Sequence, residues 1–207
     1  CLTEKKTYAM RFYSTRSGFT NGVSLAEALS KGYAADGGLF VPEQLPKISG
    51  EVLSSWSKLD FPSLAFELLK LFVQDELSSD ELWEVVRGSY THFSHKEIVP
   101  VVPLKRQQGE ERKEVEAAPN AALASHPVFV AELFHGPTYC FKDLGQQLLV
   151  RLLARFADKD KQKKTFLVST TGDTGPAAMR AVADAASDYL QIIVFFPKGQ
   201  ISELQRR

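Results

Sequence analysis

Apolar and polar positions follow two different rhythms along this 207-residue chain, and the rhythm changes near residue 127. In the first hundred residues, after a short extended start, apolar side chains recur mainly at helical spacing. Ser24 followed by Glu27 has the form of a capping box opening SLAEALSKG, and Gly32 stands where a left-handed residue can close that helix. Asp36-Gly-Gly-Leu-Phe-Val-Pro42 predicts a turn feeding a short extended stretch. Leu64, Phe66, Leu68, Leu69, Leu71, Phe72 and Val73 are crowded enough to predict a nearly buried helix. Ser78 and Glu81 form a second capping box, behind which Leu82, Val85 and Val86 share one face. Val99–Leu104 reads as a strand interrupted by Pro103.

From Lys105 to about His126 the composition turns to charge, then to Ala, Pro and Asn, without an apolar face; a solvated loop or insertion is expected. Beyond it the grammar is β then α. Val128–Phe134 reads as a strand followed by a His-Gly-Pro-Thr turn. Leu144, Leu148, Leu149, Leu152, Leu153 and Phe156 mark an amphipathic helix. Thr165–Ser169 is a second strand, Pro176–Ala186 an Ala-rich helix, and Leu190–Phe196 a third strand. The unbroken run Ile192, Ile193, Val194 belongs to sheets covered on both faces, and alternating strands and helices imply a parallel sheet with right-handed crossovers. The expected class is therefore α/β: a helical region over 1–102, a charged loop or insertion over 103–127, and over 128–207 the start of an open parallel sheet with crossover helices. Ser202 and Gln205 are spaced like the capping box of a helix cut short at Arg207, so the α/β domain is expected to be truncated.

Composition narrows the function classes. Apolar residues make up 44% and charged residues 24%, the mixture of an ordinary globular protein. Lys plus Arg and Asp plus Glu balance at 25 each, which removes the long-range basic field of a nucleic-acid binder. No apolar run is long enough to cross a bilayer. Cys1 and Cys140 are too few and too far apart for a disulfide framework or metal site, so a reducing compartment such as the cytoplasm is expected. The opening CLTEKKTYAM is mostly polar and shows no secretory signal. It begins with Cys rather than Met, which leaves an upstream organelle-targeting extension open.

Two loops at strand ends carry the candidate chemistry, since open α/β sheets bind ligands there. In His135-Gly-Pro-Thr-Tyr-Cys-Phe-Lys-Asp-Leu-Gly145 the lysine, Lys142, stands ahead of a long helix. A helix N-terminus disfavours a cation, and burial beside positive charge favours the neutral amine that Schiff-base chemistry requires. A plain surface lysine in a turn reads the same locally. In Thr170-Thr-Gly-Asp-Thr-Gly175, hydroxyls and glycines before a helix present N–H groups to a carboxylate or phosphate. Here Pro176 suits the first helical position, and Asp173 serves equally well as a simple cap. The loop is neither a Walker A sequence nor a G-x-G-x-x-G fingerprint. His135 is read as bonding within its turn, and Cys140 as a buried small side chain rather than a nucleophile.

Taken together, LFHGPTYCFKDLG and TTGDTGPAA resemble the threonine synthase family of fold-type II pyridoxal-phosphate (PLP) enzymes. Tyr13-Ser-Thr-Arg16, SLAEALSKG, DGGLFVP and FFPKGQISELQ are similar to further family segments in the same order, so the resemblance spans nearly everything but 105–127. It implies that Lys142 forms the internal aldimine with PLP, that Phe141 packs near the ring, and that Asp143 holds the local turn. It implies that Thr170, Thr171, Gly172, Asp173 and Thr174 receive the substrate carboxylate. The implied reaction converts O-phosphohomoserine and water to threonine and phosphate, a phosphorylated amino acid being the small-molecule partner. STRSGF in place of STRG, TTGDTG in place of TSGDTG, and the charged 105–126 segment depart from the common family pattern. Family chains are expected at about twice this length, the remainder holding the cofactor-phosphate loop and the partner of the pyridine nitrogen. Two alternatives stand beside this reading: a phospho-lyase on a phosphorylated hydroxy-amino acid, and a truncated, non-catalytic binding or signalling isoform.

Overall fold

The computed structural model describes residues 10–18, 20–73, 76–104 and 127–203. The charged 105–126 segment and the helix expected around Ser202–Gln205 fall largely outside that range.

The extended start is a two-stranded antiparallel corner. β1 (Phe12–Ser14) pairs with β2 (Phe40–Pro42), Phe12 opposite Pro42 and Ser14 opposite Phe40. Between them lies α1 (Leu25–Lys31), started by the Ser24 side chain accepting from the Glu27 N–H. Only half of the expected capping box forms there, because the Glu27 carboxylate pairs with Lys31 one turn on. Gly32 closes the helix with positive φ, but in a γ-turn (φ 69°, ψ −53°) in which the Tyr33 N–H reaches Lys31 O at 2.8 Å, rather than in the left-handed helical region.

α2 (Gly50–Trp56) has no strong apolar stripe and was not anticipated; Ser49 caps it through the Val52 N–H. α3 (Phe61–Val73) starts from Asp60, which accepts from Ser63 N. Contrary to expectation α3 is half-buried: Val73 alone of its residues is fully covered, and Leu68 is 39% exposed. Dense apolar residues on consecutive positions point all round a helix, and the α4 core with, at Phe72, the Met10–Phe12–Ala28 cluster covers that surface only in part. α4 (Ser79–Tyr90) has the complete capping box, with the Ser78 and Glu81 side chains each accepting from the other's backbone. Leu82, Val85, Val86 and Tyr90 of α4 form one core with Val73, Leu77, Ile98 and, from the long α5 (Lys142–Asp160), Leu152 and Phe156.

β3 (Val101–Pro103) pairs antiparallel with β4 (Phe129–Ala131), which is shorter than the expected Val128–Phe134 strand and does not join a parallel sheet. The parallel pairing is made by β5 (Lys164–Ser169) and β6 (Leu190–Phe195), connected through α6 (Thr174–Ala185). Fully buried Ala177, Ala178 and Ala181 let α6 approach closely, and Val150, Leu153 and Ala154 of α5 complete a second core with Ala181 and Leu190. This covers one face of the pair. The other is open, with the register partners Leu167 and Ile193 63% and 46% exposed, so the apolar run does not mark a face covered by the described residues. No helix among the described residues is long and apolar enough to cross a membrane.

Candidate active site

Lys142 is the first residue of α5, and the turn before it is built around a buried carboxylate. Asp143 has no exposed surface and accepts from Thr138 twice, from the backbone N–H at 2.8 Å and from Oγ1 at 2.7 Å. Gly136 lies against it: a Cβ there would stand 2.4 Å from Asp143 Oδ2, so only glycine lets the turn close over the carboxylate. Tyr139 takes positive φ (58°), its N–H bonding Gly136 O at 3.0 Å. A left-handed non-glycine residue stores strain, and here the Asp143–Thr138 bonds hold the turn in place.

The result is a half-buried Lys142 whose Nζ lies 4.9 Å from the centroid of the Phe141 ring. Phe141 itself is 59% exposed, leaving most of that ring uncovered. Lys142 Nζ stands 3.9 Å from Cys140 Sγ, and that sulfur is 3.8 Å from Asp173 Oδ2. The two loops picked out in the sequence thus meet at one buried thiol.

In the second loop the residues divide their work. Thr170 Oγ1 accepts from Gly172 N at 3.1 Å and donates to Gly172 O at 3.0 Å, so its hydroxyl shapes the loop. Thr171 and Asp173 are exposed, and Thr174 opens α6. Asp173 occupies the cap position without a side-chain capping bond, and Pro176 is the third helical residue rather than the first. Proline is still tolerated there because the first-turn N–H groups have no intrahelical partner. Gly175 is required by packing: a Cβ would meet Thr170 Cγ2 at 2.7 Å and Val194 Cγ1 at 3.0 Å. A cleft of about 260 Å³ opens on the β6 side of this loop, lined by Thr170, Gly172, Pro176, Met179 and Val194 among others.

His135 has its Nε2 2.7 Å from Glu132 Oε2 and its Nδ1 3.4 Å from Ser94 Oγ, which ties the turn to the segment after α4. In the sequence Cys140 reads only as a packed side chain, and nothing marks Gly136. The glycine carried no signal, because the carboxylate it cradles is seven residues away.

The fold is thus that of a mixed helix-and-sheet protein with a candidate small-molecule site where two strand-to-helix loops converge. Comparison with known proteins names it further. Residues 11–90 match the family described as Threonine synthase N terminus. The chain is 36% identical over 197 residues to threonine synthase-like 2 of Homo sapiens, covering 95% of this chain and 36% of that protein. It is 34% identical over 203 residues to threonine synthase of Schizosaccharomyces pombe, covering 94% and 35%. A crystal structure of PLP-bound threonine synthase from Brucella melitensis superposes with a TM-score of 0.78 at 30% identity, over 96% of this chain and 38% of that one. These matches support the threonine synthase family for this chain. The chain spans a little over a third of these relatives, which are therefore well over twice its length rather than about twice.

Proposed function

We propose that the protein carrying this chain is a PLP-dependent lyase of threonine synthase type that converts O-phosphohomoserine and water to threonine and phosphate. What supports the reading is a single observation: Lys142 Nζ and the carboxylate of the 170–174 loop both lie within 4 Å of the Cys140 thiol, so a reactive amine and an anion-binding loop face one small volume.

The residues fit the aldehyde end of the cofactor. Lys142 offers a half-buried primary amine at the start of α5, and Phe141 offers an uncovered aromatic face beside it. PLP, when bound, supplies the electron sink that stabilises negative charge at the substrate carbons. The chain's own part begins with binding. Thr170 holds its loop through Gly172, and with Thr171, Gly172, Asp173 and Thr174 directs the first N–H groups of α6 toward the substrate carboxylate. Lys142 Nζ would hold the cofactor and would carry protons to and from the substrate carbons. Asp143 keeps that amine in place through Thr138.

The test is to add PLP to the full-length protein, follow the visible absorbance band, reduce with borohydride and locate the pyridoxyl group by peptide mass spectrometry. Label on Lys142, and its loss in Lys142→Ala, is expected; label elsewhere overturns the assignment. The resemblance to threonine synthase-like 2 favours a second reading, a phospho-lyase that releases phosphate without completing water addition. Product analysis separates them: threonine in one case, a 2-oxo acid with ammonia in the other.

A further inference from the structure

Cys140 has no role in the reaction as proposed, yet its side chain contacts both loops. It is buried, with its Sγ 3.9 Å from Lys142 Nζ and 3.8 Å from Asp173 Oδ2. The polarity of the pair of contacts is dictated by chemistry. An ammonium only donates and a carboxylate only accepts, so the sulfur accepts from Lys142 while its S–H points to Asp173.

The geometry on each side of this link favours it. Asp173 stands at the cap position of α6, where an aspartate ordinarily accepts from the helix's first turn, but its side chain makes no capping bond and faces the thiol instead. On the other side the Cys140 carbonyl accepts from Asp143 N at 3.0 Å, and the left-handed Tyr139 precedes it. Tyr139 is 78% exposed and gains little from its strained backbone by burial. What that conformation accomplishes is to aim Cys140 inward.

We infer that Cys140 is a positioning residue that couples the carboxylate loop to Lys142, so that the state of Asp173 governs how readily Lys142 presents its amine. The inference deepens the proposed function and rests on reading Lys142 as the reactive amine. It assigns no bond-making to the thiol. Alanine at 140 severs the link. Serine weakens it, because a shorter C–O bond draws the polar atom away from both partners.

The experiment measures the rate at which trinitrobenzenesulfonate modifies Lys142 in the full-length protein without added PLP, resolved by peptide mass spectrometry. Four proteins are compared: the parent, Asp173→Asn, Cys140→Ala and the double variant, with Cys140→Ser replacing Cys140→Ala if the latter fails to fold. Asp173→Asn is expected to change the Lys142 rate by at least about twofold in the parent, the low end for residues sharing one hydrogen-bonded network, and to change it little once Cys140 is gone. An equal effect of Asp173→Asn in both backgrounds, or none in the parent, overturns the inference. A merely structural loss would lower the urea midpoint and shift both backgrounds alike. Because no cofactor is present, failure here leaves the PLP reading standing, and failure of PLP to attach leaves this measurement interpretable.

Discussion

The Asp143 carboxylate, wholly buried, accepts from both donors of Thr138 at 2.8 and 2.7 Å, and this one relationship sets where the neighbouring Lys142 stands. Without it the Gly136–Tyr139 turn would have no reason to keep a left-handed tyrosine. Asp143→Ala is expected to destabilise the protein by about 2 kcal/mol, leaving two donors unsatisfied, and Thr138→Val by about 1 kcal/mol. Gly136→Ala should cost at least as much as Asp143→Ala, since its Cβ falls on the carboxylate. Urea titration reads the stability, and borohydride-trapped pyridoxyl label on Lys142 should fall in all three.

A second prediction concerns a cap supplied from far along the chain. Glu76 accepts from Leu25 N at 2.6 Å and Ala26 N at 2.9 Å, satisfying two first-turn donors of α1 that Ser24 does not reach. Glu76→Ala should cost about 1–2 kcal/mol, more than Ser24→Ala, and Glu76→Gln, which keeps one acceptor, should fall between Glu76→Ala and the parent. Equal midpoints for Glu76→Ala and the parent would show the cap to be inert.

Glu81 makes the acid limb of stability readable. The Ser78 N–H foremost, aided by Arg155 and Lys159 against the opposing effect of desolvation, holds its carboxyl down from 4.5 to about 2. A carboxyl whose pKa is depressed by folding contributes stability above its unfolded value and loses it as pH falls toward the folded one. The midpoint difference between the parent and Glu81→Gln should thus be constant above about pH 5 and shrink between pH 4.5 and about 2. Thermal melts across that range test it, and a difference that is flat through the window would contradict it.

The half-buried character of α3 separates two leucines of equal size. Leu82→Ala on α4, at a site 2% exposed, should cost about 2–5 kcal/mol, whereas Leu68→Ala on α3 should cost about 1 kcal/mol or less. Similar losses at both positions would mean that Leu68 is covered.

Much of the architecture was legible in local pattern, and the reason is that its signals are local. Ser78 and Glu81 lie within one turn of each other, so the capping box could be read and was found complete. The periodic leucines of α5 and the β5–α6–β6 alternation repeat at the spacing of the backbone itself. Lys142 and the 170–174 loop stand out in the sequence as candidates because each combines a strand end, a helix start and a distinctive residue set. Pairing and coverage were decided elsewhere. That β4 joins β3 antiparallel, that Glu76 caps a helix fifty residues upstream, that one face of β5–β6 is open, and that Cys140 stands between Lys142 and Asp173 all depend on atoms distant in the chain. Sequence fixes periodicity and cap chemistry, which act over a few residues. Which surfaces meet is a property of the packed chain, where a hydrogen bond or a van der Waals contact depends on distance in space and not on separation along the backbone.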